Sequence, residues 1–353
     1  MADRRTLISR AMDGNFAAVD ALIREGAAAL DDVMEAMARA DVSTTDTLGE
    51  VVRRIATPEI AGSAARFLTA EVSLDVFNAA VDILARNGDP NGALQRFVEA
   101  PDTLETLRGI AVRGIGRTHD PQRAHFIRKI AAEVEAAGEH VLLVDCIEAL
   151  TAVGDHSLDP KIVDLLGSRK VEAKLRAAEV LPYLFFRGLL DLLRTAARHR
   201  NAEIRRHAVD AFYYLGTKTA AEELGKLMID RDARTRQNAI ARIAFITGTD
   251  IDEETIDEAK EVVSRLSEDV CHRDAEPIDL AKLAEKAKIP NLRAAIVEEL
   301  RVETGQNFDF NASREDSDPG VVKRIRAWLA TNGQFERGGC YKFGFRQDLA
   351  VLT

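Results

Sequence analysis

Cysteine is scarce. Three residues in 353 (Cys146, Cys271 and Cys340) give no disulfide framework and no Cys-x-x-Cys pair, so a reducing compartment, the cytoplasm, is the expected setting. Aromatic residues make up 5% of the chain, with one Trp and four Tyr. A core must therefore be built from Ala, Leu, Ile and Val. No uninterrupted run of about 18 apolar residues occurs, so no helix of the sequence is a candidate membrane span. The opening Met-Ala-Asp-Arg-Arg-Thr-Leu-Ile-Ser-Arg lacks the apolar centre of a secretory signal. Positive charge is short as well: 48 Lys and Arg stand against 58 Asp and Glu, a net charge of −10. A general nucleic-acid binder needs excess positive charge to displace phosphate counterions, so that class is disfavoured except through a local basic patch. What is present is a 46% hydrophobic and 30% charged chain. That composition supports a large core, and the length suits two or three domains or one long repeat array.

An internal period decides between those options. Four ten-residue segments beginning at Val144, Leu175, Arg206 and Gln237 align without a gap, each start 31 residues after the last. Their apolar positions recur as Cys146/Leu150/Val153, Ala177/Leu181/Leu184, Ala208/Phe212/Leu215 and Ala239/Ile243/Ile246. Spacings of four and then three put each trio on one helical stripe. A small residue leads three of the trios and Cys146 leads the other, where a neighbouring helix would approach closely. An earlier pair keeps the same step. Asp89-Pro90 and Asp120-Pro121 are 31 apart, as are Ala80/Ala111, Val81/Val112 and Leu84/Ile115. The step from Ala111 to Cys146 is 35, which places a longer helix within 121–137. Thr57-Pro58 reads as a degenerate Asp-Pro turn.

Shorter amphipathic pieces at Asp159–Leu166, Gly188–Ala197 and Ala220–Met228 lie between the aligned helices. Asp before Pro suits a helix start, with Asp at the N-cap and Pro in the first turn. The unit therefore reads as helix A, tight turn, helix B, and the fold class as all-α, an α-solenoid of stacked antiparallel helix pairs. Gly14–Ala27 suggests the second helix of an ankyrin repeat, but it occurs once without the usual start and is read as an ordinary helical hairpin. Three parts follow: degenerate N-terminal repeats or a cap over 1–72, the array over 73–248, and a C-terminal helical and capping segment over 249–353. In the last, an apolar stripe Val262/Val263/Leu266 and helices at 278–287 and 290–302 are expected. A polar loop from Thr304 to Gly320 then leads to a Val321–Thr331 helix carrying Trp328.

The Asp-Pro starts, the basic residue early in helix B (Lys174, Arg205, Arg236) and the downstream Ala and Leu resemble HEAT-type repeats. The resemblance is good over about 73–248 and weaker over 1–72. Thr304-Gly-Gln-Asn-Phe308 followed by Arg-Ala-Trp-Leu is similar to a terminal segment of bacterial HEAT-repeat proteins, with Asn307 and a single Trp replacing commoner residues. A solenoid end exposes an apolar face that needs a partly polar cover, which Trp328, Phe308 and Phe310, helped by Phe343 and Phe345, would supply.

Two readings fit the basic ladder Lys174/Arg205/Arg236: an anion-binding stripe, or a structural ladder paired with carboxylates such as Asp230 or Asp232. The resemblance implies the second. Two readings also fit the run Arg194, Arg198, His199, Arg200, Arg205, Arg206, His207 around a helix start near 202: a site for phosphate or an acidic peptide, or a solvated edge. Cys271-His272 with Asp274 lacks a second ligand pair, so no metal site is expected. Cys146 fills a core position, and Cys340 has no neighbouring His to activate it. Gly114-Ile-Gly116 and Gly338-Gly339 lack the strand and the Lys-Ser/Thr ending of a phosphate loop. The acidic run 250–261 lacks EF-hand ligand order. No Gly-x-Ser-x-Gly or His-Glu-x-x-His occurs, so neither a catalytic residue nor a cofactor is expected.

The leading expectation is a bacterial, cytoplasmic, non-catalytic scaffold that binds another protein, one with an acidic surface, through the concave face lined by the B helices. Arg205, Arg206, Asp210 and Tyr213 are its candidate binding residues. Arg206, Asp210 and Tyr213 fall opposite a core stripe, and their counterparts Leu175/Glu179/Pro182 and Gln237/Ala241/Ala244 differ in chemistry. The alternatives come from the same resemblance: an enzyme, as in HEAT-like phycobiliprotein lyases, or a nucleic-acid binder, as in HEAT-like DNA glycosylases. No chromophore-handling motif supports the first, and the net charge of −10 disfavours the second.

Overall fold

The computed structural model describes residues 3–40, 42–101, 103–247, 251, 255–265, 296–297, 300–301, 304, 306, 308, 320–332, 341–342, 345–347 and 349–352. Cys271, His272, Asp274, Leu266, Phe310, Phe343, Cys340, Gly338-Gly339, residues 278–287 and most of 250–254, 290–302 and 305–319 lie outside them. The chain divides into two compact units, Met1–Val134 and Glu135–Thr353. The fold is an all-α solenoid of stacked antiparallel helix pairs. Among the described residues, a two-residue antiparallel pairing of Tyr341–Lys342 with Phe345–Arg346 is the one β-element.

In the first unit the helices are α1 (Arg4–Met12), α2 (Phe16–Glu25), α3 (Leu30–Met37), α4 (Val42–Ile55), α5 (Pro58–Ala64), α6 (Leu74–Arg86), α7 (Ala93–Glu99) and α8 (Glu105–Gly116), with α9 (Ala124–Ala137) at the boundary. α1 packs on α2, the pairing expected for a helical hairpin, and α6 packs on α8. Thr57 takes the N-cap position of α5 with Pro58 in its first turn. Asp120 accepts the Gln122 amide at 3.0 Å ahead of the 3-10 turn Pro121–Arg123. Pro has no N–H, and a helix start leaves its first N–H groups without intrahelical partners, so Pro costs nothing there. Ala80, Val81, Leu84, Ala111, Val112 and Ile115 are all buried. The Gly-Ile-Gly of α8 is a packing device: a Cβ on Gly114 would overlap Val81 Cγ1 and crowd Leu94 Cδ1.

The second unit carries the clear repeat. Its helices are α10 (His140–Ala152), α11 (Ile162–Gly167), α12 (Val171–Glu179), α13 (Leu189–Ala197), α14 (Ala202–Leu215), α15 (Lys218–Lys226), α16 (Ala233–Thr247), α17 (Ile256–Ser264) and α18 (Val321–Asn332). The first helices of the pairs are α11, α13 and α15, and their second helices α12, α14 and α16 stack on one another. The recurring trios form the stack interior. Ala177, Ala208 and Ala239 are fully buried, and eleven of the twelve trio residues are buried, Ile246 being half-exposed. Each fully buried Leu, Ile or Phe among them contributes about 1.5–3 kcal/mol as an upper estimate.

The second trio departs from a continuous helical stripe. α12 stops at Glu179, and Leu181–Tyr183 form a 3-10 turn around Pro182. A proline there has no N–H for the carbonyl four residues back and its ring clashes with that carbonyl. Leu181 and Leu184 still reach the interior. In α17, Val263 is buried but Val262 is exposed, so the expected apolar stripe is narrower than its sequence suggests. Near the chain end, Ile296, Val297, Leu300, Phe308, Val321, Val322 and Ile325 form a small core, against which Trp328 is partly buried. Phe308 and Trp328 meet edge-on at 5.9 Å, and Thr304 Oγ donates to the Leu300 carbonyl at 2.6 Å.

Candidate interaction surface

The second helices present a column of acids at the repeat spacing: Glu148 on α10, Glu179 on α12 and Asp210 on α14. Two arginines lace it. Arg176 donates to Asp145 at 2.9 Å and to Glu179 at 3.0 Å, and it also pairs with Glu148. Its side chain is 16% exposed and that of Asp145 5%. Arg242 of α16 donates to Asp210 at 2.9 and 3.1 Å. The Arg242 guanidinium also lies 4.5 Å from the Tyr213 ring centre and 5.3 Å from that of Tyr214. A desolvated guanidinium over an aromatic face gains cation–π energy as well as its ion pair. His207 sits between these groups. Its burial pushes its pKa down, against the opposing pull of Asp210, Glu179 and Glu203.

The four candidate residues separate on this surface. Arg205 is buried. It grips both Asp230 carboxylate oxygens at 2.8 Å and donates to the carbonyls of His199 at 2.9 Å and Arg200 at 3.2 Å. This is the structural-ladder arrangement, with Asp230 as the carboxylate partner. Tyr213 is 3% exposed. It lies under Arg242 rather than open to solvent, because a cation from the next pair covers its ring. Arg206 and Asp210 each keep 28% of the side chain exposed, Arg206 facing Asp232 at 3.6 Å and Asp210 bonded to Arg242. Arg194 is bound to Glu223 at 2.9 Å and Asp191 at 3.0 Å, while Arg198 and Arg200 stay exposed at the turn. Three arginines of the basic run therefore already hold bonded or nearby carboxylates.

The sequence reading missed Arg176 and Arg242. Arg176 has a repeat signal, since Asp145 lies one 31-residue period earlier. Arg242 has none, because Asp210 lies 32 residues back. Among the described residues no helix is long and apolar enough to cross a membrane, and no His/Cys/Asp/Glu group could hold a metal.

Curated proteins show no match to the chain. Among solved structures, the crystal structure of an engineered protein is similar at 18% identity, with a TM-score of 0.32, covering 94% of this chain and 97% of that one. Residues 159–244, which run from the turn before α11 into α16, match the family model described as HEAT repeats. Over those residues the helix-pair stack is similar to HEAT repeats.

Proposed function

We propose that the chain is a non-catalytic scaffold or adaptor of a bacterial cytoplasm, binding a charged surface of another protein through the second-helix face of α12, α14 and α16. In this reading residues 1–72 and 249–353 flank the array as caps. One observation carries it: a constant interior underlies a varied face. Ala177, Ala208 and Ala239 are equally buried, whereas the positions beside them read Leu175/Glu179, Arg206/Asp210 and Gln237/Ala241. Repeat arrays gain selectivity by this division, since the interior sets the curvature and the variable face meets the partner. Arg206 is the candidate cation that the fold least requires, so it is the best probe of the face.

The test is affinity capture from the native host with the full chain and with Arg206→Glu, read by mass spectrometry at several salt concentrations. The expected result is a protein partner retained by the parent chain, weakened by salt and by the variant, with the melting curve of the variant only slightly lowered. Equal capture by parent and variant moves the binding surface elsewhere. Recovery of a visible chromophore or of nucleic acid in place of a protein overturns the scaffold reading.

A further inference from the structure

Three successive turns lead into α12, α14 and α16, and each is closed in the same way. Ser168 Oγ accepts the Lys170 amide at 3.1 Å, His199 Nδ1 accepts the Asn201 amide at 3.1 Å, and Asp230 Oδ1 accepts the Asp232 amide at 2.8 Å. The acceptors are spaced by the repeat length, as are the basic residues Lys174, Arg205 and Arg236. Arg205 Nη1 reaches the His199 carbonyl at 2.9 Å, and Arg236 Nη1 reaches the equivalent Asp230 carbonyl at 2.7 Å. The backbone register of these turns is therefore the same.

Within that register, the Arg205–Asp230 ion pair has a counterpart one repeat earlier, and it is Lys174 with His199. The cation has kept its place and the carboxylate has become an imidazole. Lys174 has no carboxylate partner among the described residues. Because His199 Nδ1 accepts an amide proton, the ring proton is on Nε2. Lys174, Arg200 and Arg205, after burial, also push the His199 pKa down and favour the neutral ring.

Both residues line one cleft of about 560 Å³ between α11 and α13, with Val163, Leu166, Leu192, Ala196 and Ile204 as its apolar wall. That volume lies within the range of small-molecule sites, roughly 300–1,000 Å³. The carboxylate at this cleft, Asp191, is held by Arg194 at 3.0 Å. An apolar wall with an ammonium and an N–H donor in its lining, and among the described residues one carboxylate, Asp191, that is largely exposed to solvent, is complementary to an amphipathic anion.

We propose that this cleft binds a small aliphatic carboxylate. Its chain would lie between α11 and α13, and its carboxylate would accept from Lys174 Nζ and His199 Nε2–H, in the role that Asp230 plays for Arg205. The site is lined chiefly by the first helices and does not rest on the scaffold reading of the second-helix face.

Isothermal titration of the full chain with decanoate, decan-1-ol and decyltrimethylammonium, each below its micelle concentration, tests this directly. Decanoate is expected to bind one per chain. Decanol is expected to bind about tenfold or more weakly, having lost a charge-assisted contact, and the cation not at all. His199→Asp retains an acceptor for the Asn201 amide and supplies the missing carboxylate from within. It should erase the preference for decanoate over decanol while the melting temperature stays level or rises. Leu192→Trp fills the cleft and should abolish binding of both; should that variant fail to fold, the His199→Asp comparison decides alone. Absence of heat with decanoate, equal affinity for decanoate and decanol, or decanoate binding untouched by His199→Asp would each overturn the proposal.

Discussion

Two neighbouring rungs of the array share a backbone and differ in their chemistry. At one, Arg205 and Asp230 form a buried bidentate pair. At the other, Lys174 and His199 take the equivalent places beside an apolar cleft. The turn itself is indifferent to the change, because a serine hydroxyl, a histidine ring nitrogen and a carboxylate all accept the same amide. Backbone hydrogen bonds need only an acceptor at that position, not a charge. A repeat array can therefore keep its geometry while one rung exchanges a structural ion pair for a solvent-facing cation.

The comparison breaks most sharply by removing the cations. Arg205→Met leaves Asp230 without its buried partner and should lower stability by about 3–5 kcal/mol, read from urea unfolding. Lys174→Met should change it by no more than about 0.5 kcal/mol. Similar losses at the two rungs would mean that Lys174 has a structural role equal to that of Arg205.

The interior should be less forgiving than the rung surface. Ala208 is fully buried where α14 meets its neighbours, so Ala208→Leu should overpack that contact at a cost of about 1–3 kcal/mol. An unchanged unfolding midpoint would remove Ala208 from the tight interface.

Acid should then separate the rungs further. Burial by itself raises the Asp230 pKa, but bonds from Arg205 and the Asp232 amide outweigh it and hold the carboxyl below its ordinary value. A depressed folded pKa gives stability that is complete above the unfolded carboxylate range and is lost as pH falls through the folded value. Below about pH 4, the parent chain should lose stability more steeply than Asp230→Asn. Parallel slopes would show that this pair carries no acid sensitivity. A small effect is also expected of Arg206→Glu. Its cation is partly exposed and 3.6 Å from Asp232, so the change should cost less than about 1 kcal/mol, measured by the same unfolding curve.

Much of the fold is legible in the sequence because burial forces the period to recur. The trios at 146, 177, 208 and 239 repeat since each must fill the same inter-helix space. The carboxylate partner of Arg205 is legible only through the resemblance, which offers Asp230 or Asp232 alike. Other features are not periodic and could not be read that way. Pro182 shortens α12 without displacing Leu184, so the pattern survives a broken helix. Tyr213 falls on the outer face by helical spacing, yet Arg242 from the following pair covers it. Its burial is a tertiary event that no local pattern encodes. The significance of His199 appears only when the ladder is followed one repeat back from Asp230, a step that the turn hydrogen bonds justify.

The equivalence of the two rungs is the claim on which the rest turns, and a double-mutant cycle measures it. The cycle is built from the parent, Lys174→Gln, His199→Asp and the double variant, each unfolded in urea at low ionic strength. If position 199 stands to 174 as Asp230 stands to Arg205, introducing the carboxylate creates a favourable coupling of about 0.5–1 kcal/mol, typical of a partly exposed pair. That coupling should fade with salt. Strictly additive effects would contradict the equivalence, and with it the view that this rung is an ion pair opened for a ligand.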